Sequence, residues 1–258
     1  MHLIFDTHAH YDDKKFDEDR EVLLGSLQEQ GIGRVVNAGA SLESCRTTLE
    51  LTRQYDFIYG AIGVHPTEVG ELNEDTFAWL KNALREEKAV AVGEIGLDYY
   101  WKDTAVLLQK EWFIRQLVLA KEVKKPVVIH SRDAAADTLD IMKAYGRELS
   151  GIIHCFSYGV ELAREYLNMG YYLGVGGVLT FSNARKLREV VEYAPLEQLV
   201  LETDCPYLAP APHRGERNSS LWLPLVAEQI AQIKGISEET VIRTTWENGN
   251  RVYGLNVN

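Results

Sequence analysis

Five of the seven histidines in this 258-residue chain, His8, His10, His65, His130 and His154, stand at the ends of short apolar runs. His8 and His10 flank one small residue, Ala9, directly after Leu3-Ile4-Phe5. Side chains alternate along a strand, so both imidazoles face the same side and make half of a metal site. Glu94 and Asp204 end two further apolar runs and add anionic oxygen. Imidazole nitrogen with carboxylate oxygen suits Zn2+, Mn2+ or Mg2+, not copper-type or iron–sulfur chemistry. His8, His10, Glu94, His130, His154 and Asp204 make six ligands. Six are too many for one tetrahedral ion and suit two ions sharing a carboxylate. Two ions about 3.5–4 Å apart clamp a phosphoryl group and generate hydroxide at neutral pH. Glu94, from a middle strand, is the natural bridge. Asp204 would hold one ion and take the proton from the attacking water.

Elements that hold such residues are legible along the whole chain. Apolar strand-like runs cover residues 3–7, 34–38, 57–63, 89–94, 126–130, 151–155, 171–174 and 198–203. Amphipathic helical patterns fill 17–30, 42–55, 75–85, 105–124, 134–145, 161–169 and 183–192, followed by 221–234 and 237–252. Eight strands alternating with helices predict a parallel sheet. Continuous apolar runs such as Val127-Val128-Ile129 predict strands covered on both faces. A closed (β/α)8 TIM barrel and an open doubly wound sheet both fit. No G-x-G-x-x-G follows the first strand, which weakens the dinucleotide-binding form of the second. The length suits one barrel domain, residues 1–258. In a barrel the C-terminal strand ends face one way and build the active site, and all the polar residues above lie at such ends. The Pro-rich loop 205–222 reads as functional rather than as a domain boundary.

A net charge of −11 excludes a broad basic face for coating nucleic acid, so any such binding is local to a site. Cys45, Cys155 and Cys205 are odd in number and far apart, which argues against a disulfide framework or a thiolate zinc cluster. No apolar stretch approaches 18 residues, and no basic-then-apolar leader is present. The expectation is a cytoplasmic, non-membrane protein, a monomer by default.

The ordered motifs make the chain resemble the TatD-type metal-dependent DNases, within the amidohydrolase-like metal-dependent hydrolases. They are Phe5-Asp6-Thr7-His8-Ala9-His10, Gly63-Val64-His65-Pro66, Val92-Gly93-Glu94-Ile95-Gly96-Leu97-Asp98-Tyr99, Ile129-His130-Ser131-Arg132-Asp133-Ala134, Ile153-His154-Cys155-Phe156-Ser157 and Glu202-Thr203-Asp204-Cys205-Pro206-Tyr207-Leu208. The resemblance implies a TIM barrel with two divalent ions. One ion would be held by His8, His10, Glu94 and Asp204. The other would be held by Glu94, His130 and His154, with a water or hydroxide completing the pair. It implies hydrolysis of DNA phosphodiester bonds by metal-activated hydroxide, as a 3′–5′ exonuclease on single-stranded ends. The chain departs from the family at Tyr158, where glycine is usual, and near Ser220, where a proline is usual. Both departures touch substrate-facing loops.

Residues beyond the six are weighed against plainer roles. His65 holds a substrate phosphate or is a strand cap locked by Pro66. Arg132, Arg214 and Arg217 grip phosphate oxygens; otherwise Arg132 pairs with Asp98 or Glu202, and the other two lie in a solvated loop. His213 joins that basic patch or is simply exposed. Tyr99, Tyr100 and Trp101 are read first as packing a barrel loop, with base stacking as the lesser reading. Cys155 and Cys205 follow ligands and should turn away from them. The alternative function keeps the ions and changes the bond, to an amide or ester of a small or tRNA-linked substrate, since some members of the broad family are proposed deacylases. A closed structural zinc site would need four ligands, usually with cysteine.

Overall fold

The structure is a computed structural model that describes residues 3–256. In chain order the elements are β1 (Ile4–Ala9), α1 (Arg20–Leu27), β2 (Ile32–Ala38), α2 (Leu42–Gln54), β3 (Ile58–Ala61), α3 (Glu74–Ala83), β4 (Ala89–Asp98), α4 (Val106–Val123), β5 (Val127–Arg132), α5 (Ala135–Ile141), β6 (Gly151–Ile153), α6 (Val160–Asn168), β7 (Tyr172–Val175), α7 (Arg185–Tyr193), β8 (Leu199–Leu201), α8 (Leu223–Lys234) and α9 (Glu238–Tyr253). The strands form one eight-stranded sheet in sequence order, with parallel pairing wherever register is defined. The last strand also reaches the first: the Thr7 hydroxyl donates to the Leu201 carbonyl at 2.9 Å, and the Asp204 amide to the His8 carbonyl at 3.0 Å. This is the (β/α)8 barrel.

Packing divides the chain into two compact units. The first runs to Asn37 and resumes at Cys155; the second is Ala38–His154. In the first unit α9 lies against β1, and its buried Gly249 leaves no room for a methyl group: a Cβ there would sit 2.6 Å from the Phe5 ring. Phe5 also meets Trp246 and Tyr253, each at 5.9 Å between ring centroids. The Ser237 hydroxyl caps α9 by accepting from the Thr240 amide, and left-handed Gly254 ends it.

In the second unit α4 supplies two buried glutamines seven residues apart, on one helix face. The Gln116 side chain accepts from the Val64 amide and donates to the Val64 carbonyl, at 2.8 and 3.1 Å. Gln109 does the same for Asp98, at 2.9 Å each. Buried backbone groups beyond the ladder need partners, and these amides supply them.

Most strands end elsewhere than their apolar runs imply, and β4, β6 and β8 are the ones that shape the donor positions. β4 continues four residues past Glu94, because its register with β5 persists from Ile95 opposite Ile129 to Asp98 opposite Arg132. β6 and β8 stop early, at Ile153 and Leu201. Shortly after each, Cys155 and Asp204 take positive φ of 45° and 57° and turn the chain. Gly96 makes the β4–β5 contact feasible: its φ is +149°, and a Cβ there would lie 1.9 Å from the His130 carbonyl oxygen. Helix α1 is shorter than its pattern, beginning at Arg20, and α5 gives way to a π-helical turn at Met142–Gly146.

Candidate metal sites

Among the described residues, donor side chains cluster within each unit. In the first, His8 on β1 and His10 just past its end come together, with Nε2 atoms 3.1 Å apart. Asp204, beyond the end of β8, brings Oδ1 to 3.6 Å from His8 Nε2 and 3.3 Å from His10 Nε2. His8 is buried, whereas the Asp204 side chain keeps 18% of its surface in solvent. A positive φ is costly for aspartate, and here it sits at the residue whose carboxylate completes the cluster.

Behind this cluster lies a fully buried carboxylate, Asp6. It accepts from the Thr203 amide (3.0 Å), the Thr203 hydroxyl (2.7 Å), the Ser220 hydroxyl (2.6 Å) and the His8 amide (3.3 Å). The Tyr11 hydroxyl accepts from the Ser220 amide and lies 2.7 Å from the Ser220 hydroxyl. Burial pushes the Asp6 carboxyl up to about 7, while the four donors pull it down. The network ties the end of β8 to β1 and so places Asp204 against His8 and His10. Asp6 stood in the first motif without a role. Its partners lie 197 and 214 residues away, which no local spacing reveals. Ser220 occupies the region where the family pattern has proline, and here it is a member of this network.

In the second unit Glu94, buried on β4, is the centre. Its Oε1 lies 2.7 Å from His130 Nδ1, 3.3 Å from His154 Nε2 and 3.8 Å from His65 Nε2. The His130 Nε2 meets Asp98 Oδ2 at 2.9 Å. Burial alone would lower the His130 pKa; its bonds to Asp98 and Glu94 outweigh that and hold it above the ordinary imidazole value. Burial would likewise raise Asp98, but hydrogen bonds from His130 and the Trp101 amide hold it below the usual carboxylate range. His65 packs against the His130 ring, 4.3 Å between centroids, with Nδ1 2.8 Å from the Thr67 hydroxyl. His65, Asp98 and His130 together present three donor atoms within 4.8 Å of one another.

Asp98 is the functional candidate that the ligand count passed over. A strand ending at Glu94 leaves it in a loop, whereas the longer β4 puts Glu94, Gly96 and Asp98 on one side, opposite β5.

The basic residues divide. Arg132 is exposed and lies over the Tyr100 ring, 3.8 Å from its centroid. It pairs with neither Asp98 nor Glu202: Asp98 serves His130 and the Tyr100 and Trp101 amides, and Glu202 is buried and accepts from the Cys155 amide. Arg214 is exposed over Phe181 at 4.0 Å, beside a cavity of about 620 Å3 lined by Phe181, Asn183 and Lys186. Arg217 is not a free phosphate grip, because its guanidinium makes a bidentate pair with Asp19 at 2.6 and 2.5 Å. His213 stacks on Trp222 with ring planes 6° apart. Tyr100 and Trp101 pack on each other but stay half in solvent, 50% and 51% exposed. Cys205 is buried and Cys155 half-buried. Among the described residues, no helix is long and apolar enough to cross a membrane.

The donor sets fit divalent ions. A tetrahedral ion with bonds of about 2.0–2.1 Å has ligands about 3.3 Å apart. The first cluster's separations of 3.1, 3.3 and 3.6 Å match that spacing. In the second, the 3.3 Å between Glu94 and His154 also matches. The 2.7 Å between Glu94 and His130 is a hydrogen bond, whose proton a metal would displace.

A family model described as TatD related DNase matches residues 5–254. The chain is 42% identical over 255 residues to the uncharacterized metal-dependent hydrolase YabD of Bacillus subtilis, covering 98% of this chain and all of that one. It is 33% identical to the 3′-5′ ssDNA/RNA exonuclease TatD of Cronobacter sakazakii, covering 97% of each. Among solved structures, the TatD homologue YJJV of Escherichia coli K12 superposes with a TM-score of 0.91 at 29% identity, over 98% of each chain.

Proposed function

The chain belongs to the TatD-related DNase family and is a metal-dependent hydrolase; we propose that it hydrolyses DNA phosphodiester bonds with two divalent ions, as a 3′–5′ exonuclease on single-stranded ends. The observation that carries this reading is the donor chemistry: imidazole and carboxylate groups clustered within metal-ligand reach, without cysteine. The relative named as a single-strand exonuclease supports the substrate class. Divalent ions, when bound, lower the pKa of a coordinated water and neutralise phosphate charge.

In this reading His8, His10 and Asp204 hold one ion, and Glu94, His130 and His154 hold the other. Asp98 orients His130 from the far ring nitrogen, as carboxylates behind metal-bound histidines do. Asp204 is the one carboxylate of the first cluster that reaches solvent, and it receives the proton of the attacking water. His65, Arg132 and Arg214 bind phosphate oxygens. Because two bound divalent ions reverse the local charge, an overall charge of −11 is compatible with a short anionic end and incompatible with tight duplex binding.

The test uses metal-stripped protein with Mg2+, Mn2+ or Zn2+ restored in turn, and single-stranded DNA labelled at its 3′ or 5′ end. Metal-dependent shortening from the 3′ end, absent in His130→Ala, is the expected result. Intact DNA with every ion, in protein holding two ions per chain, would reject the phosphodiesterase and favour an ester or amide substrate.

A further inference from the structure

We infer that Tyr100, Trp101 and Arg132 form a stacking subsite for an unpaired nucleobase of the substrate strand; this rests on the nuclease reading above and names what that site recognises beside the phosphate.

The first support is placement. On β5, His130 and Arg132 are two residues apart, so both project to one side, about 7 Å from each other. Register sets Gly96 opposite His130 and Asp98 opposite Arg132. Tyr100 and Trp101 come two and three residues after Asp98, and Arg132 lies over the Tyr100 ring, so the three planar groups adjoin the ends of β4 and β5 that carry Asp98 and His130.

The second support is rigidity beneath exposure. One carboxylate holds both the loop and the ligand. Asp98 Oδ1 accepts the amides of Tyr100 and Trp101, at 2.9 and 3.0 Å, while Oδ2 meets His130. The Tyr99 hydroxyl pins the loop to α5 through Asp137 at 2.7 Å. The backbone is fixed, yet the two rings above it stay half in solvent. Large aromatic faces held rigidly in water mark binding surfaces.

The third support is the arrangement of the groups. The Arg132 guanidinium lies 3.8 Å from the Tyr100 centroid and 5.9 Å from that of Trp101. The two rings meet edge to face at 90°. Among the described residues no carboxylate pairs with Arg132, so its charge is available to a phosphate. Aromatic faces with an interleaved arginine are how single strands are held without sequence preference. In a chain of charge −11, long-range attraction cannot supply affinity for a polyanion. Stacking can, and it selects unpaired bases, because paired bases are already stacked on their neighbours.

The test compares kcat/KM for a single-stranded oligonucleotide with that for one whose 3′-terminal nucleotides lack bases, using the full-length, metal-reconstituted protein. Wild-type protein should prefer the base-bearing strand. Trp101→Ala should lower that preference about tenfold, and Trp101→Phe should largely restore it. Leu107→Ala, another exposed apolar residue, should leave it unchanged. An unchanged preference in folded, metal-loaded Trp101→Ala and Tyr100→Ala would overturn the subsite and leave the nuclease standing. Failure of wild-type protein to cut either strand with any of the three ions would overturn the nuclease reading, and the subsite with it.

Discussion

The two donor clusters contain the same kinds of side chain but are held in different ways. His8, His10 and Asp204 are placed from behind, by a buried network in which Asp6 gathers donors from β1, from Thr203 past β8 and from Ser220. Glu94, His130 and His154 are placed from within, by contacts among the donors themselves and by Asp98 on the far side of His130. The network behind the first cluster is thus part of how β8 is fastened to β1, and damage to that network should appear as lost stability. The second depends on contacts among its own donors and Asp98, and damage there should appear as lost affinity for metal and substrate.

The largest effects come from removing a donor in either cluster. Asp204→Asn and Glu94→Gln should each lower kcat by about a hundred- to ten-thousand-fold, measured on metal-saturated protein with labelled single-stranded DNA. Full turnover by metal-loaded Glu94→Gln would remove that carboxylate from the chemistry. Gly96→Ala should come next. A methyl group 1.9 Å from the His130 carbonyl cannot be accommodated while β4 and β5 stay paired, so about 3 kcal/mol or more of stability should be lost. A urea midpoint like that of wild type would show the strands relaxing apart at no cost.

The comparison is sharpest at the two supporting carboxylates. Asp6→Ala leaves the Thr203 amide and hydroxyl and the Ser220 hydroxyl facing an apolar void, which should cost about 2–3 kcal/mol even in chelator-treated protein. Asp98→Asn still offers an oxygen to the Tyr100 and Trp101 amides, so stability should change by less than about 1 kcal/mol. Its effect should instead be about 10- to 100-fold weaker metal binding, read by competition with a chromophoric chelator. If both variants lost stability equally and bound metal equally well, the distinction between the two clusters would collapse.

What was legible in the sequence follows the same division. Eight apolar runs alternating with helical patterns read as a parallel barrel because both periodicities are local. The pairing of His8 with His10 is also local, a period of two across Ala9. Motifs carried the expectation for Glu94, His130, His154 and Asp204, which lie far apart in the chain. The residues that support them were not legible. Asp6 acts through Thr203 and Ser220, and Arg217 through Asp19, pairs about two hundred residues apart. Asp98 was hidden by a strand end: the apolar run ends at Glu94, but pairing with β5 carries β4 on through Gly96, where a residue with a side chain would have stopped it. Tyr100 and Trp101 read as packing residues because composition does not tell a buried aromatic from an exposed one.

The smallest expected effect tests how firmly the aromatic loop is pinned. Asp137 accepts from the Tyr99 hydroxyl and pairs with Lys110 at 2.7 Å. Lys110 first and Tyr99 second hold its carboxyl below the ordinary range. A depressed acid adds stability that is present above its unfolded pKa and is lost as pH falls through the folded value. Tyr99→Phe removes one of the two causes, so the acid side of the stability profile should flatten near pH 4 and below. The Asp137 side chain is 39% exposed, and solvent screens the pair, so the loss at neutral pH should stay under about 1 kcal/mol. If Tyr99→Phe nevertheless reduced the preference for base-bearing DNA as much as Trp101→Ala does, the loop would be held at its Tyr99 end and not by Asp98. The support of the second cluster would then extend into α5.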